Sequence, residues 1–270
     1  MRHNTAHIKC GFFVLYGVID RKEADMKVSI NTAVFLDHLN NGMSQLESLK
    51  ILDGLENEID NIQVRGEFFD EKTKDQEIEN IKKACQNNGW GLYYSVPEEL
   101  FNKGKINSSI DSNIKMAKKH DLKYLKYFIG DVKNVDPKEI AALDQKLADA
   151  GIELTLENLS NDSGRLEKVE EGLEAIKNSK NIGYTYDAGN WYWVDENPSV
   201  AFKKLKNQIT NYHLKDIKDK ETVMLGEGDT DWQPMVLSLS DNIPIFLEYG
   251  IPDEQIKHEV ELVNSVINKR

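Results

Sequence analysis

Thiol chemistry has almost nothing to work with in this sequence. Of 270 residues only Cys10 and Cys85 are cysteines. They form no metal-like spacing, and two isolated thiols fit a reducing, cytoplasmic compartment. Net positive charge is missing as well. The formal net charge is −12, and lysine-rich clusters alternate with acids, which argues against general polyanion binding, nucleic acid included. No Gly-x-Gly-x-x-Gly follows the first strand signal, so dinucleotide binding has no support. There is no linker and no low-complexity run. The apolar run Cys10 to Ile19 is far too short to cross a bilayer as a helix, so no membrane association is expected. The segment Asp20 to Asp25 after it offers no small-residue cleavage site. Residues 1–25 therefore read as an extension outside the fold, such as an over-early start codon would add. A signal or anchor is the weaker alternative.

What is present is alternation of strand and helix signals. Apolar residues make up 40% of the chain, enough for a sizeable core. Period-two patterning and β-rich runs predict strands at Val28–Asn31, Ile59–Glu67, Gly91–Val96 (stopped by Pro97), Tyr124–Ile129, Glu153–Leu159, Ile182–Asp187, Gln208–Leu214 and Ile243–Tyr249. Between them lie helical spacings at Ser44–Leu55, Lys74–Asn88, Ser108–His120, Pro137–Ala150, Gly164–Ser179, Pro198–Leu205, Asp231–Leu239 and Asp253–Ile267. Ser44 with Glu47 makes a capping box. Pro137 sits at a helix start, and Gly151 follows a helix end. Eight strand–helix units without interruption predict a single-domain (β/α)8 TIM barrel over residues 26–270, close to the usual ~250 residues. An open doubly wound sheet is the main competitor.

Four consecutive predicted strands end in an ionisable residue: Glu157, Asp187, His213 and Glu248. Such barrels carry their catalytic groups at the carboxyl ends of the strands. Three carboxylates meeting there repel one another unless some protonate or a cation intervenes. A dication bound by three oxygens and one imidazole nitrogen resolves the conflict. The hard, mixed donor set favours Mn²⁺, with Mg²⁺, Co²⁺ or Zn²⁺ behind it. The bland alternative makes each acid a solvated strand end or a helix cap. Alternation places Leu154 and Leu156 outward if Glu157 points inward. It also turns Gln63, Arg65 and Glu67 inward in strand two, as substrate contacts or an internal ion pair. Lys126 within strand four and Lys215 beside His213 are candidates for substrate oxygens. Tyr94, Trp191, Trp193 and Trp232 wall a small pocket or pack in the core.

These residues also carry a resemblance. Leu156-Glu157-Asn158, Tyr186-Asp187-Ala188-Gly189-Asn190, His213-Leu214-Lys215-Asp216, the glycine loop from Gly226 to Trp232, and Glu248 resemble the xylose isomerase-like sugar phosphate isomerase/epimerase superfamily. The resemblance covers roughly residues 26–270. It implies a divalent-metal-dependent sugar or sugar-phosphate isomerase or epimerase. Glu157, Asp187, His213 and Glu248 would hold one Mn²⁺-like ion, and Glu157 and Glu248 would also move the proton. A keto-polyol dehydratase on the same scaffold, and a non-catalytic sugar-binding barrel, are the alternatives. The partner is then a small-molecule sugar or sugar phosphate, and a homo-oligomer is compatible with all of this. Asn190 stands where the ketose 3-epimerases carry a substrate-contacting histidine, and Asp219 where they carry an arginine. Only six histidines are present, too few for the multi-zinc DNA-repair endonucleases of that superfamily.

Overall fold

The computed structural model describes residues 26–270. The expected extension of residues 1–25, with Cys10, lies outside the described residues. Eight strands run parallel and pair in sequence order: β1 (Val28–Asn31), β2 (Ile59–Arg65), β3 (Gly91–Asn102), β4 (Tyr124–Gly130), β5 (Glu153–Glu157), β6 (Ile182–Asp187), β7 (Ile209–Leu214) and β8 (Ile245–Leu247). Strand β1 pairs with both β2 and β8, and β2 with β3, so the sheet closes into a barrel. The helices that follow the strands form the outer layer.

Local chemistry sets the boundaries. The helix Pro137–Ala150 begins where the Asp136 carboxylate accepts the Lys138 N–H and Pro137 opens the first turn. It ends at Gly151, whose φ of +64° suits glycine. Its Ile140, Leu143 and Leu147 are buried against the sheet. The Ser44–Glu47 capping box forms as predicted, but the expected helix Ser44–Leu55 is one α turn, Gln45–Ser48, followed by a 3-10 turn, Leu49–Leu52.

Two strand boundaries differ in ways that matter at the site. Strand β2 stops at Arg65, and Glu67 lies on a 3-10 turn, Gly66–Phe68. A Cβ at Gly66 would stand 2.9 Å from the Tyr94 hydroxyl and 3.0 Å from Pro97 Cδ, so the tight turn there favours glycine. Strand β3 does not stop at Pro97. It runs on to Asn102 and folds back as a hairpin with Lys105–Ile106. Its register against β4 shifts between Ser95 and Glu99, and such an irregularity tolerates a residue without an N–H.

The parity of the strands sorts the side chains into two cores. Leu154 and Leu156 are fully buried and face the helices. Thr155 faces the barrel axis, where its hydroxyl meets that of Thr185 at 2.7 Å. Tyr93 stacks on Tyr124 with ring centroids 4.0 Å apart and meets the edge of Phe246 at 5.0 Å. Phe246 in turn lies under His213 at 5.9 Å. At the amino-terminal end, Asn264 of the last helix, Asp253–Ile267, accepts the Val28 N–H at 2.8 Å. It also donates to the Glu58 carbonyl at 2.9 Å, tying the last unit to the first two strands. Cys85 is buried, and burial pushes its thiol up to about 12. No helix among the described residues is long and apolar enough to cross a membrane.

Candidate functional site

The carboxyl ends of β5 to β8 bring Glu157, Asp187, His213 and Glu248 together. One donor atom from each lies within 4.8 Å of all the others, and all four residues are buried. Ligand atoms on opposite sides of an ion with bonds of about 2.2 Å stand about 4.4 Å apart. The set needs to contract by only a few tenths of an ångström around a dication.

Each donor is aimed by its neighbours. His213 turns Nδ1 toward the cluster, 3.3 Å from Glu157 Oε1 and 3.1 Å from Glu248 Oε2. Asp187 Oδ1 accepts the N–H groups of Gly189 and Asn190 at 2.8 and 2.7 Å, which leaves Oδ2 to face the cluster. Asn158 ties β5 to β6, accepting the Asp187 N–H at 2.9 Å and donating to its carbonyl at 3.1 Å. Glu248 lies just beyond β8, its N–H on the Leu214 carbonyl at 3.1 Å.

Three cations share the site. Lys126 Nζ lies 2.5 Å from Glu157 Oε2, and Arg65 Nη1 lies 3.2 Å from Glu248 Oε1. Lys215 Nζ bridges Asp187 Oδ2 at 2.7 Å and Glu248 Oε2 at 2.9 Å. These contacts decide the protonation pattern. Burial works most strongly against the charge on Glu157, but Lys126 and His213 together outweigh it and hold the carboxyl down at about 2. Burial likewise opposes the charge on Glu248, yet His213 and Lys215 hold it well below the carboxylate range. Asp187 goes the other way, since burial and the two glutamates push it up further than Lys215 pulls it down. Burial would lower His213, but the two glutamates lift it to about 9.

The other predicted residues divide. Asn190 reaches the cluster, with its amide on the Asn158 carbonyl at 2.9 Å and 3.5 Å from Glu157 Oε1. Glu67 does not. It is exposed on its 3-10 turn, where it pairs with Arg65 at 2.7 Å. Tyr94 is core, buried and stacked on Phe69 at 5.9 Å. Trp191 and Trp232 are buried too, and only Trp193 is exposed. Two further residues take part, of which the sequence reading missed only Asn31. Asn31, ending β1, donates to Glu248 Oε1 at 3.1 Å and to Gln63 Oε1 at 2.7 Å. Asp216, fully buried, accepts four backbone N–H groups, those of Ile217, Gly226, Gly228 and Thr230, at 2.9–3.0 Å. A polar residue ending β1 in line with the acids of β5 to β8 is a signal for Asn31. Asp216 closes the His213–Asp216 motif in the sequence, but its four amide partners emerge only once the glycine loop is seen to wrap around it.

Residues 53–266 match a family described as the xylose isomerase-like TIM barrel. Among solved structures, a D-tagatose 3-epimerase-like protein is 20% identical with a TM-score of 0.64, over 89% of this chain and 99% of the other. The probable 3-DHS dehydratase AsbF of Bacillus anthracis is 14% identical with a TM-score of 0.61, over 90% and 98%. The IOLI protein, solved with a binding zinc atom, is 18% identical with a TM-score of 0.60, over 90% and 96%. At such identities the likeness is one of fold. No match was found among curated proteins.

Proposed function

We propose that this chain, which belongs to the xylose isomerase-like TIM barrel family, is a divalent-metal-dependent isomerase or epimerase of a sugar or sugar phosphate. The observation that supports this most directly is the meeting of Glu157 and Glu248 at His213 Nδ1, beside Asp187 Oδ2. Three oxygens and a nitrogen make a hard, mixed donor set suited to Mn²⁺, and a zinc-bearing neighbour of the same fold is consistent with a metal there. An ion held by these four residues would supply Lewis acidity to a carbonyl and its neighbouring hydroxyl, and so acidify the carbon between them.

The chain's own groups would do the rest. Glu157 and Glu248 are both held ionised, so either can remove a proton from that carbon. They come from β5 and β8, three strands apart around the closed sheet, and so flank a substrate from two sides. Removal by one glutamate and return by the other to the opposite face gives epimerisation. Return to the neighbouring carbon gives isomerisation. Lys126, Lys215, Arg65 and Asn190 would hold substrate oxygens. Expulsion of a hydroxyl from the same enediolate would make the protein a keto-polyol dehydratase, a reading favoured by the dehydratase among its structural neighbours. The two isolated thiols support a cytoplasmic setting.

Incubation with ketoses, aldoses and their phosphates in D₂O with Mn²⁺ tests the proposal. One substrate should take up solvent deuterium at a single carbon next to a carbonyl. Glu157→Gln and Glu248→Gln should lower its turnover roughly 10²–10⁴-fold while keeping part of the metal. Full rates in both glutamine variants at saturating Mn²⁺ would make the glutamates ligands only.

A further inference from the structure

We propose that Lys215 is a tethered occupant of the metal position, which an incoming dication displaces, and that the released ammonium selects a substrate bearing a carboxylate or phosphate over a neutral sugar. This rests on the metal-dependent reading above.

The two oxygens of each carboxylate divide the three cations. Glu157 turns Oε1 to His213 and Oε2 to Lys126. Glu248 turns Oε2 to His213 and Oε1 to Arg65 and Asn31. The cluster's inner oxygens are therefore Glu157 Oε1, Glu248 Oε2 and Asp187 Oδ2. Lys126 and Arg65 sit on outer oxygens and leave the inner ones free. Lys215 sits on inner oxygens only, with Nζ 2.7 Å from Asp187 Oδ2 and 2.9 Å from Glu248 Oε2. The ammonium lodged between those two oxygens stands where an ion using both would sit.

Charge points the same way. Glu157, Asp187 and Glu248 are already faced by Lys126, Lys215 and Arg65, the last of which is shared with the exposed Glu67. A dication added to that buried set brings charge with no counter-charge, which is costly in a poorly solvated site. Lys126 is 2% exposed and has nowhere to go, whereas Lys215 is 13% exposed and can turn toward the mouth. Its stem runs over Gly189, where a Cβ would stand 2.4 Å from Lys215 Cγ and 2.6 Å from Cδ. That glycine gives the stem its lane. Once off Asp187 and Glu248, the ammonium needs an anion, and the substrate is the group that arrives there. A phosphate or a carboxylate meets that need; the hydroxyls of a neutral ketose do not.

The test measures binding, not turnover. Mn²⁺ is titrated calorimetrically into full-length protein stripped by chelator, as wild type, Lys215→Met, Lys215→Gln and Lys126→Met, each checked for folding by circular dichroism. Both Lys215 variants should bind Mn²⁺ at least tenfold more tightly than wild type, and Lys126→Met should not. D-fructose 6-phosphate, D-gluconate and D-fructose are then titrated into the Mn²⁺-loaded proteins. Wild type should prefer at least one of the two anions to D-fructose by tenfold or more, and which one names the anionic group. Lys215→Met should lose most of that preference. Equal or weaker Mn²⁺ binding by the folded Lys215 variants overturns the proposal, as does an anion preference that survives in them. Mn²⁺ binding by none of the proteins overturns the metal-dependent reading itself, and this inference with it.

Discussion

At the scale of single residues, the pair Lys126–Glu157 shows how the site tolerates its own charge. Both groups are 2% exposed, and Lys126 Nζ also lies 3.7 Å from the centre of the Phe128 ring. Removing one partner of a buried pair strands the other, at a cost of about 3–5 kcal/mol. Lys126→Met should therefore lower stability by that order in urea melts at pH 7. The sign with pH follows from Glu157, whose folded value lies below its ordinary one. Its stabilising contribution is complete above the ordinary carboxylate range and fades as pH falls toward about 2. The gap between wild type and Lys126→Met should shrink steadily below about pH 4. A gap that widened on acidification would contradict the assignment. The four strand-end residues were legible because each closes a β-patterned run. The cations were legible only as candidates. Convergent carboxylates demand positive charge, and sequence spacing cannot say whether Lys126 within β4 and Lys215 just after β7 supply it before any ion does.

At the scale of elements, the loop after β7 turns on one side chain. Asp216 gathers the N–H groups of Ile217, Gly226, Gly228 and Thr230, and a Cβ at Gly228 would stand 2.2 Å from Asp216 Oδ1. Asp216→Ala leaves the buried amides of Ile217 and Thr230, and the part-buried ones of Gly226 and Gly228, without this acceptor and should cost about 3 kcal/mol. Hydrogen exchange at Gly226, Gly228 and Thr230 should accelerate selectively, and protection there equal to wild type would show the loop held by other means. The motif from His213 to Trp232 was visible in the sequence, but its mechanical role was not, since it depends on a carboxylate meeting amides up to fourteen residues away. Strand ends misled for a similar reason. Pro97 reads as a stop because it lacks an N–H, and a register shift in the pairing of β3 removes the need for one. Glu67 reads as inward by parity, and parity ended two residues earlier at Arg65, before a turn at Gly66 where Tyr94 and Pro97 crowd any added Cβ.

For the whole molecule, the count of eight units was the most legible property, because each unit repeats the same change from period two to helical spacing. The closure of the sheet was inferred rather than read. It rests on pairings between β1 and β8, which lie more than 200 residues apart, Ser29 with Phe246 and Ile30 with Leu247. Closure makes the order of units cyclic: β1 has neighbours on both sides like every other strand. Arg270 Nη2 comes within 3.5 Å of Met26 Sδ, which puts both ends of the barrel at one face, and a glycine–serine bridge would join them. The helix Lys74–Asn88 ends in exposed residues at the amino-terminal face, away from the carboxylates. A circular permutant of residues 26–270 that begins at Gly89 and ends at Asn88 should fold to the same far-UV spectrum and bind Mn²⁺ within a fewfold of the unpermuted chain. In such a ring the place where translation begins is a matter of ancestry, and the carboxylate cluster belongs to no end of the polypeptide.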